Sequence, residues 1–154
     1  MDNVMNTLAN TRFGEVRFGP SDVWTFPDGL IGFPECRHFL LIHHREDSPF
    51  HWLQSIERPE LAFLVTDPNR FVEGFAPELD DRDAQELNLT ETTPHVLLTT
   101  VSIPPGRPQD LSLNLNGPIV VNLETREGRQ FVVEADAYTK ERIRESQGAA
   151  SAAA

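Results

Sequence analysis

Leu111-Ser-Leu-Asn-Leu-Asn-Gly-Pro-Ile-Val-Val-Asn122 carries two short apolar runs on either side of Gly117-Pro118. It reads as two strands joined by a corner. Proline cannot donate to a ladder, and glycine admits the backbone angles of a sharp bend. Asn114 and Asn116 stand among apolar residues just before that corner. Asparagine is a poor strand residue, so its amide here serves a turn or a specific hydrogen bond. Two residues apart, the pair shares one strand face. The two amides either fix the Gly117-Pro118 corner or bind the extended backbone of a partner.

The same grammar runs outward through the chain. Arg12 to Phe18, Val23 to Phe26, Phe39 to His43, Trp52 to Ile56, Leu61 to Thr66 and His95 to Ile103 read as strands. Leu111–Leu115, Ile119–Leu123 and Phe131–Val133 complete the set, with a turn at Arg126-Glu127-Gly128. Pro27-Asp28-Gly29 is turn chemistry, and Leu30 to Pro34 continues it as an apolar corner. Pro34 to Phe39 suits one short helical turn. Asp80 to Leu89 has helical character, with Asp80 or Asp81 as N-cap and acids in the first turn.

About nine short strands at close spacing, with one or two short helices, predict an all-β fold. The architecture expected is a single-domain antiparallel pseudo-barrel, OB-like or split. Strict strand–helix alternation is absent, which argues against a doubly wound sheet. Residues 1–10 read as a loose lead-in, 11–138 as the barrel domain, and 139–154 as a charged, then alanine-rich, disordered tail.

With 154 residues the chain is one ordinary domain, able to bury roughly 70% of its unfolded surface without a staple. Its single cysteine, Cys36, fits a reducing cytosol. No basic-then-apolar leader is present, and no apolar run approaches the roughly 20 residues that span a bilayer. A cytoplasmic protein is expected.

Twenty-four acids against thirteen bases give a net charge of −11. That balance repels phosphate backbones and anionic membranes, and favours a basic protein partner. Neither a nucleic acid nor a membrane is expected as a partner. Residues 73–91 concentrate seven acids (Glu73, Glu78, Asp80, Asp81, Asp83, Glu86 and Glu91) against Arg82 alone. Phe71 and Phe75 flank Glu73 in this proline-bounded segment. The two rings either anchor a partner that the acids steer, or fold back as a flap over the core with the acids outward. Gln54, in an otherwise apolar strand, is either a satisfied core hydrogen-bonding group or a surface recognition group.

Enzymatic signatures are lacking. Asp80, Asp81 and Glu78 sit in one hydrophilic run rather than in two contrasting environments. Ser48, Ser55 and Ser102 lack a nucleophile elbow, and no glycine-rich phosphate loop occurs. Cys36, His38, His43, His44 and His51 are close in sequence, but no pair follows a CxxC or HExxH spacing, and the adjacent His43 and His44 point to opposite faces of a strand. A metal-dependent enzyme built on these residues is the less favoured alternative. No cofactor is expected.

Several motifs occur together. These are Phe13-Gly14, Phe26-Pro27-Asp28-Gly29-Leu30-Ile31-Gly32-Phe33, and Pro49-Phe50 with Leu53-Gln54-Ser55. Asn114-Leu115, Pro118-Ile119-Val120-Val121-Asn122 and Gln130 follow. In this order the chain resembles the FliW family, bacterial flagellar assembly factors, from about Phe13 to Val133. The resemblance implies a small cytoplasmic barrel without catalysis. It implies binding to flagellin and to CsrA, the RNA-binding repressor of flagellin translation, which FliW antagonises. The acidic segment is then the expected CsrA surface. The family commonly has a tyrosine where this chain offers Phe75. An acidic OB-like adaptor for another basic protein is the alternative.

Overall fold

A computed structural model describes residues 5–43, 45–77 and 79–133. In chain order the strands are β1 (Asn6–Thr11), β2 (Gly14–Phe18), β3 (Val23–Thr25), β4 (His38–His43), β5 (Phe50–Ser55) and β6 (Ala62–Thr66). The helix α1 (Asp81–Glu86) comes next, before β7 (His95–Ser102), β8 (Ser112–Leu113), β9 (Ile119–Asn122) and β10 (Glu127–Gln130). Among the described residues no helix is long and apolar enough to cross a membrane.

Strands β3-β4-β5-β6-β7-β9-β10 pair in sequence, and β10 returns to β3 to close a barrel. The antiparallel barrel expected from the sequence is found, with one exception to its pairing. Seven strands around a closed ring cannot alternate direction throughout, so one neighbouring pair must run parallel. That pair is β10 with β3, joined at Glu127 and Thr25. Gly128 sits in this closing strand because a Cβ there would lie 2.6 Å from the Phe26 ring and 2.9 Å from Val121.

The barrel core gathers Trp24, Phe26, Phe39, Leu53, Val65, Leu98, Ile119 and Val121. A second cluster of Phe71, Val72, Phe75, Leu113 and Leu115 packs with Phe50, Leu97 and Val101. Strand β7 serves both: Val96 and Leu98 face the first cluster, Leu97 and Val101 the second. A strand covered on both faces loses strict alternation, which is why His95-Val-Leu-Leu-Thr-Thr-Val101 reads as one apolar, β-branched run.

Several boundaries differ from the sequence reading. Residues 6–10, read as lead-in, form β1, which pairs with β2 in a separate two-stranded sheet. That hairpin docks on β5, with Phe13 5.6 Å from Trp52 and Arg12 4.1 Å over the Trp52 ring. Pro34 to Phe39 is a turn leading into β4, not a helical turn. The last strand is Glu127–Gln130, where a turn was expected, because the chain reverses earlier, over residues 123–126, with Arg126 at φ +60°. Phe131 and Val133 still donate their N–H groups to Pro118 and Asn116, at 2.8 and 2.9 Å. The tail reading for 139–154 lies outside the described residues.

Candidate partner-binding surface

The acidic segment begins at a turn built by its own side chains. Asp67 accepts from the Asn69 N–H at 2.9 Å and starts a 3-10 turn over Pro68–Arg70. The Asn69 amide donates to the Phe75 carbonyl at 3.0 Å and draws residues 70–75 into a closed loop. Phe71, Val72 and Phe75 are 5%, 1% and 3% exposed. Phe71 stacks on Phe50 with centroids 5.7 Å apart. Both rings are therefore flap residues, and neither is available as a surface anchor. Glu73 points outward.

Asp80 caps the helix, accepting from the Asp83 N–H at 2.8 Å. Asp80 and Asp81 are exposed and Asp83 is half-buried. Acids at a helix N-terminus complement the partial positive charge of its free N–H groups. Glu78 lies outside the described residues.

Two contacts bolt the helix to the barrel. Asn122, 1% exposed at the end of β9, donates to the Leu87 carbonyl at 2.7 Å and to that of Asn88 at 3.4 Å. Its amide oxygen accepts from the N–H groups of Glu124 and Thr125, at 2.8 and 3.3 Å. Arg129 pairs with Glu86 at 3.5 Å and with Asp28. These contacts hold the helix and its acids against β9 and β10. Neither residue was singled out from sequence for this role. An asparagine closing an apolar strand just before Glu124-Thr125 is the signal that was available, since asparagine favours such side-chain-capped turns.

The remaining sequence candidates separate. Gln54 is fully buried, and its Nε2 donates to the carbonyls of Ser55, Pro59 and Leu61 at 2.9, 2.8 and 3.2 Å. It organises the turn before β6 from inside and presents nothing to a partner. Asn114 and Asn116 are exposed on a segment whose Leu113 and Leu115 pack against the flap rings. The corner itself is fastened by Gln130, which donates to the Gly117 carbonyl at 3.0 Å and accepts from Ile31 at 2.8 Å. A Cβ on Gly117 would meet the side-chain amides of Asn114 and Gln130 at 2.7 and 2.9 Å, so a larger residue there would displace both amides.

Under the flap, the mouth of the barrel opens into a cavity of about 830 Å³. Its walls include Trp24, Leu41 and Leu98 from the barrel and Phe75, Ala76, Pro77 and Leu79 from the flap. His51 lines it too, and its Nδ1 is buried with no hydrogen-bond partner among the described residues. Burial, with the neighbouring His43, holds the His51 pKa below its usual value. The imidazole is therefore neutral at pH 7.

The other sulfur and nitrogen ligand candidates are dispersed. Cys36 is buried, His38 bonds Glu57 at 2.6 Å, and the His43 ring lies 4.4 Å from that of His51, tilted by 50°. His44 lies outside the described residues. Among those described, no group of three or more His, Cys, Asp or Glu is placed to hold a metal ion.

Comparison with known proteins gives one answer. The family model described as FliW protein matches residues 7–143. The flagellar assembly factor FliW of Magnetococcus marinus is 39% identical over 125 residues, which cover 81% of this chain and 77% of that one. The same-named protein of Syntrophotalea carbinolica is 38% identical over 134 residues, covering 87% and 94%. A crystal structure of a flagellar assembly factor FliW superposes with a TM-score of 0.75 at 28% identity, covering 84% of this chain and 90% of that one.

Proposed function

This chain belongs to the FliW family, and from that premise we propose that it is a cytoplasmic flagellar assembly factor that works by binding proteins. Its partners are flagellin and the translational regulator CsrA. Binding CsrA lifts the repression of flagellin translation, and competition by flagellin couples synthesis to export. The chemistry is recognition alone.

The observation that carries this reading is the geometry of the acidic segment. Its aromatics are spent in the core, Glu73 and Asp80 are exposed, and Asp81, Asp83 and Glu86 stand on a short helix tied to β9 and β10 by Asn122 and Arg129. A cluster of acids on a protein of net charge −11 attracts a basic RNA-binding protein and repels the RNA that competes for it. Asn114 and Asn116 are exposed beside Leu113 and Leu115, which pack against the flap rings.

The test is calorimetric titration against CsrA and flagellin from the same genome, at low and moderate salt. CsrA binding should weaken as salt rises, and flagellin should displace it. Reversal of Glu73, Asp81 and Asp83 to lysine should abolish CsrA binding in a folded protein. Unchanged affinity in that variant would sink the acidic-surface assignment. Failure of both partners to bind would sink the functional reading.

A further inference from the structure

The Gly117 corner carries a chemical liability that its own packing preserves. We propose that Asn116 is a self-modifying site: in the folded protein its side-chain amide is lost through attack by the Gly117 backbone nitrogen, leaving aspartate and isoaspartate. The Gly117 nitrogen gives up its proton and bonds to Asn116 Cγ. The side-chain amine takes up a proton and departs as ammonia, and a cyclic imide remains. Water then opens the imide. Opening at the former side-chain carbonyl restores the main chain as aspartate, whereas opening at the main-chain carbonyl leaves isoaspartate. Asparagine and water become either acid and ammonia, with no oxidant, reductant or enzyme required.

Asn116 is the one asparagine of this chain that precedes a glycine; the others precede valine, threonine, arginine or leucine. Glycine has no Cβ to crowd the attacking nitrogen. Asn116 is exposed in the turn before β9, so water and base reach its amide. The Gly117 N–H is held to the Asn114 carbonyl at 3.2 Å, the long end of the N–H···O range. Packing keeps the labile pair in place, because a Cβ at Gly117 would meet the side-chain amides of Asn114 and Gln130 at 2.7 and 2.9 Å. Any side chain that shielded the nitrogen would disturb the corner itself. The two products differ in what they do to the fold. In isoaspartate one extra carbon enters the main chain between Asn116 and Gly117. The carbonyl that accepts from the Val133 N–H at 2.9 Å becomes a carboxylate off the main chain. The Gly117 carbonyl, which accepts from Gln130 at 3.0 Å, must shift, and Gln130 also holds the Ile31 N–H. Leu115, directly before Asn116, packs with Phe71, Val72 and Phe75, so the strain reaches the flap. Aspartate keeps the main chain and adds only a negative charge.

Mass spectrometry of the purified protein, incubated at neutral and mildly alkaline pH, tests this, with urea-unfolded protein as the reference for an unconstrained chain. A gain of about 1 Da should map to Asn116 before any other asparagine, with isoaspartate detected by isoaspartyl methyltransferase labelling. The gain should come faster as pH rises, because the attacking nitrogen must shed its proton. Asn116→Gln, whose longer side chain must close a larger and slower-forming ring, should lose the signal with the fold intact. In the isoaspartate fraction the Ile31 amide should exchange with solvent at least about tenfold faster than in unmodified protein, the loss of one hydrogen bond. Asn116→Asp should leave that exchange at its wild-type rate. An intact Asn116 in the folded protein, once the urea-unfolded chain has converted, would overturn the proposal, as would earlier loss at any other asparagine. Unchanged Ile31 exchange in the isoaspartate fraction would overturn its effect on the corner.

Discussion

Replacing Asn122 with alanine should cost far more than its small side chain suggests. The residue is 1% exposed and spends both ends of its amide. Nδ2 holds the Leu87 carbonyl at 2.7 Å, and Oδ1 holds the Glu124 N–H at 2.8 Å, with longer bonds to Asn88 and Thr125. Each short bond contributes about 1 kcal/mol net, and an orphaned buried group adds about 1 kcal/mol or more. The sum is about 3 kcal/mol, or about 6–12 °C in Tm for a chain of this size. Urea melts read the global loss. Hydrogen exchange reads the local one, and amides of residues 84–89 should exchange faster than those of β4 and β5. Asn122→Asp separates donor from packing. It keeps the acceptor for the 124–125 turn but sets a second acceptor against the Leu87 carbonyl, so it should be at least as damaging as alanine at pH 7. A loss under about 1 kcal/mol for alanine, within the range of surface substitutions, or unchanged exchange in α1, would refute the latch.

Gly29 and Gly14 both have positive φ, at +67° and +79°, but a Cβ at Gly29 would meet the Phe33 carbonyl oxygen at 2.5 Å while Gly14 is open. Gly14→Ala should therefore cost about 1 kcal/mol and Gly29→Ala more than about 3 kcal/mol in urea melts; equal losses would contradict the clash. Burial alone would raise the Glu57 carboxyl, but hydrogen bonds from the His38 ring and backbone outweigh it and hold its pKa low. A depressed carboxylate stabilises the fold above its unfolded pKa and loses that contribution as pH falls through the folded one. The Tm gap between wild type and Glu57→Gln should thus close on acidification, and a constant gap would remove the assignment. His51, also depressed, through burial and His43, binds its proton less well when folded. Stability should fall as pH drops below its unfolded pKa, and His51→Leu should flatten that slope.

The all-β class was legible because period-2 patterning and glycine–proline corners are local. Leu111–Asn122 carries both signals, and the residues that pair with it do too. A barrel was expected, but the pair of strands that closes it was not legible. Whether β10 meets β3 side by side depends on strand number, which no short window reports. β1 was missed because Asn6-Thr-Leu-Ala-Asn-Thr11 has one apolar anchor, Leu8, and its stability comes from Trp52 and β2. Gln130 could be placed by family resemblance but not explained. Its role emerges only when Ile31 and Gly117, far apart in sequence, converge on one amide. For the candidate site, charge density pointed to residues 73–91, while the direction of Phe71 and Phe75 was a choice that composition leaves open. Gln54 went inward because three carbonyls converge on its Nε2, a concentration of acceptors invisible along the strand.

The acids of the candidate surface are not interchangeable, and this bears on how charge reversal must be done. Asp80 is both a surface charge and the helix cap. Replacing a cap costs about 0.5–2 kcal/mol, and a lysine there adds an unfavourable charge at the helix N-terminus of about 0.3–1 kcal/mol. Glu73 and Asp81 accept no side-chain hydrogen bond or ion pair among the described residues, so their reversal spares these costs except for the dipole term at Asp81. Asp80→Lys should therefore destabilise and raise exchange in α1, whereas Glu73→Lys should leave the melt unchanged. Asp80→Asn resolves the two roles. Asparagine caps about as well as aspartate, so stability should persist while one charge is lost. If CsrA affinity falls equally in Asp80→Asn and Glu73→Gln, with both melts at wild-type values, the face acts through its field. If only Asp80→Asn loses affinity, the partner reads one contact at the helix start, and the distributed-charge mechanism is refuted.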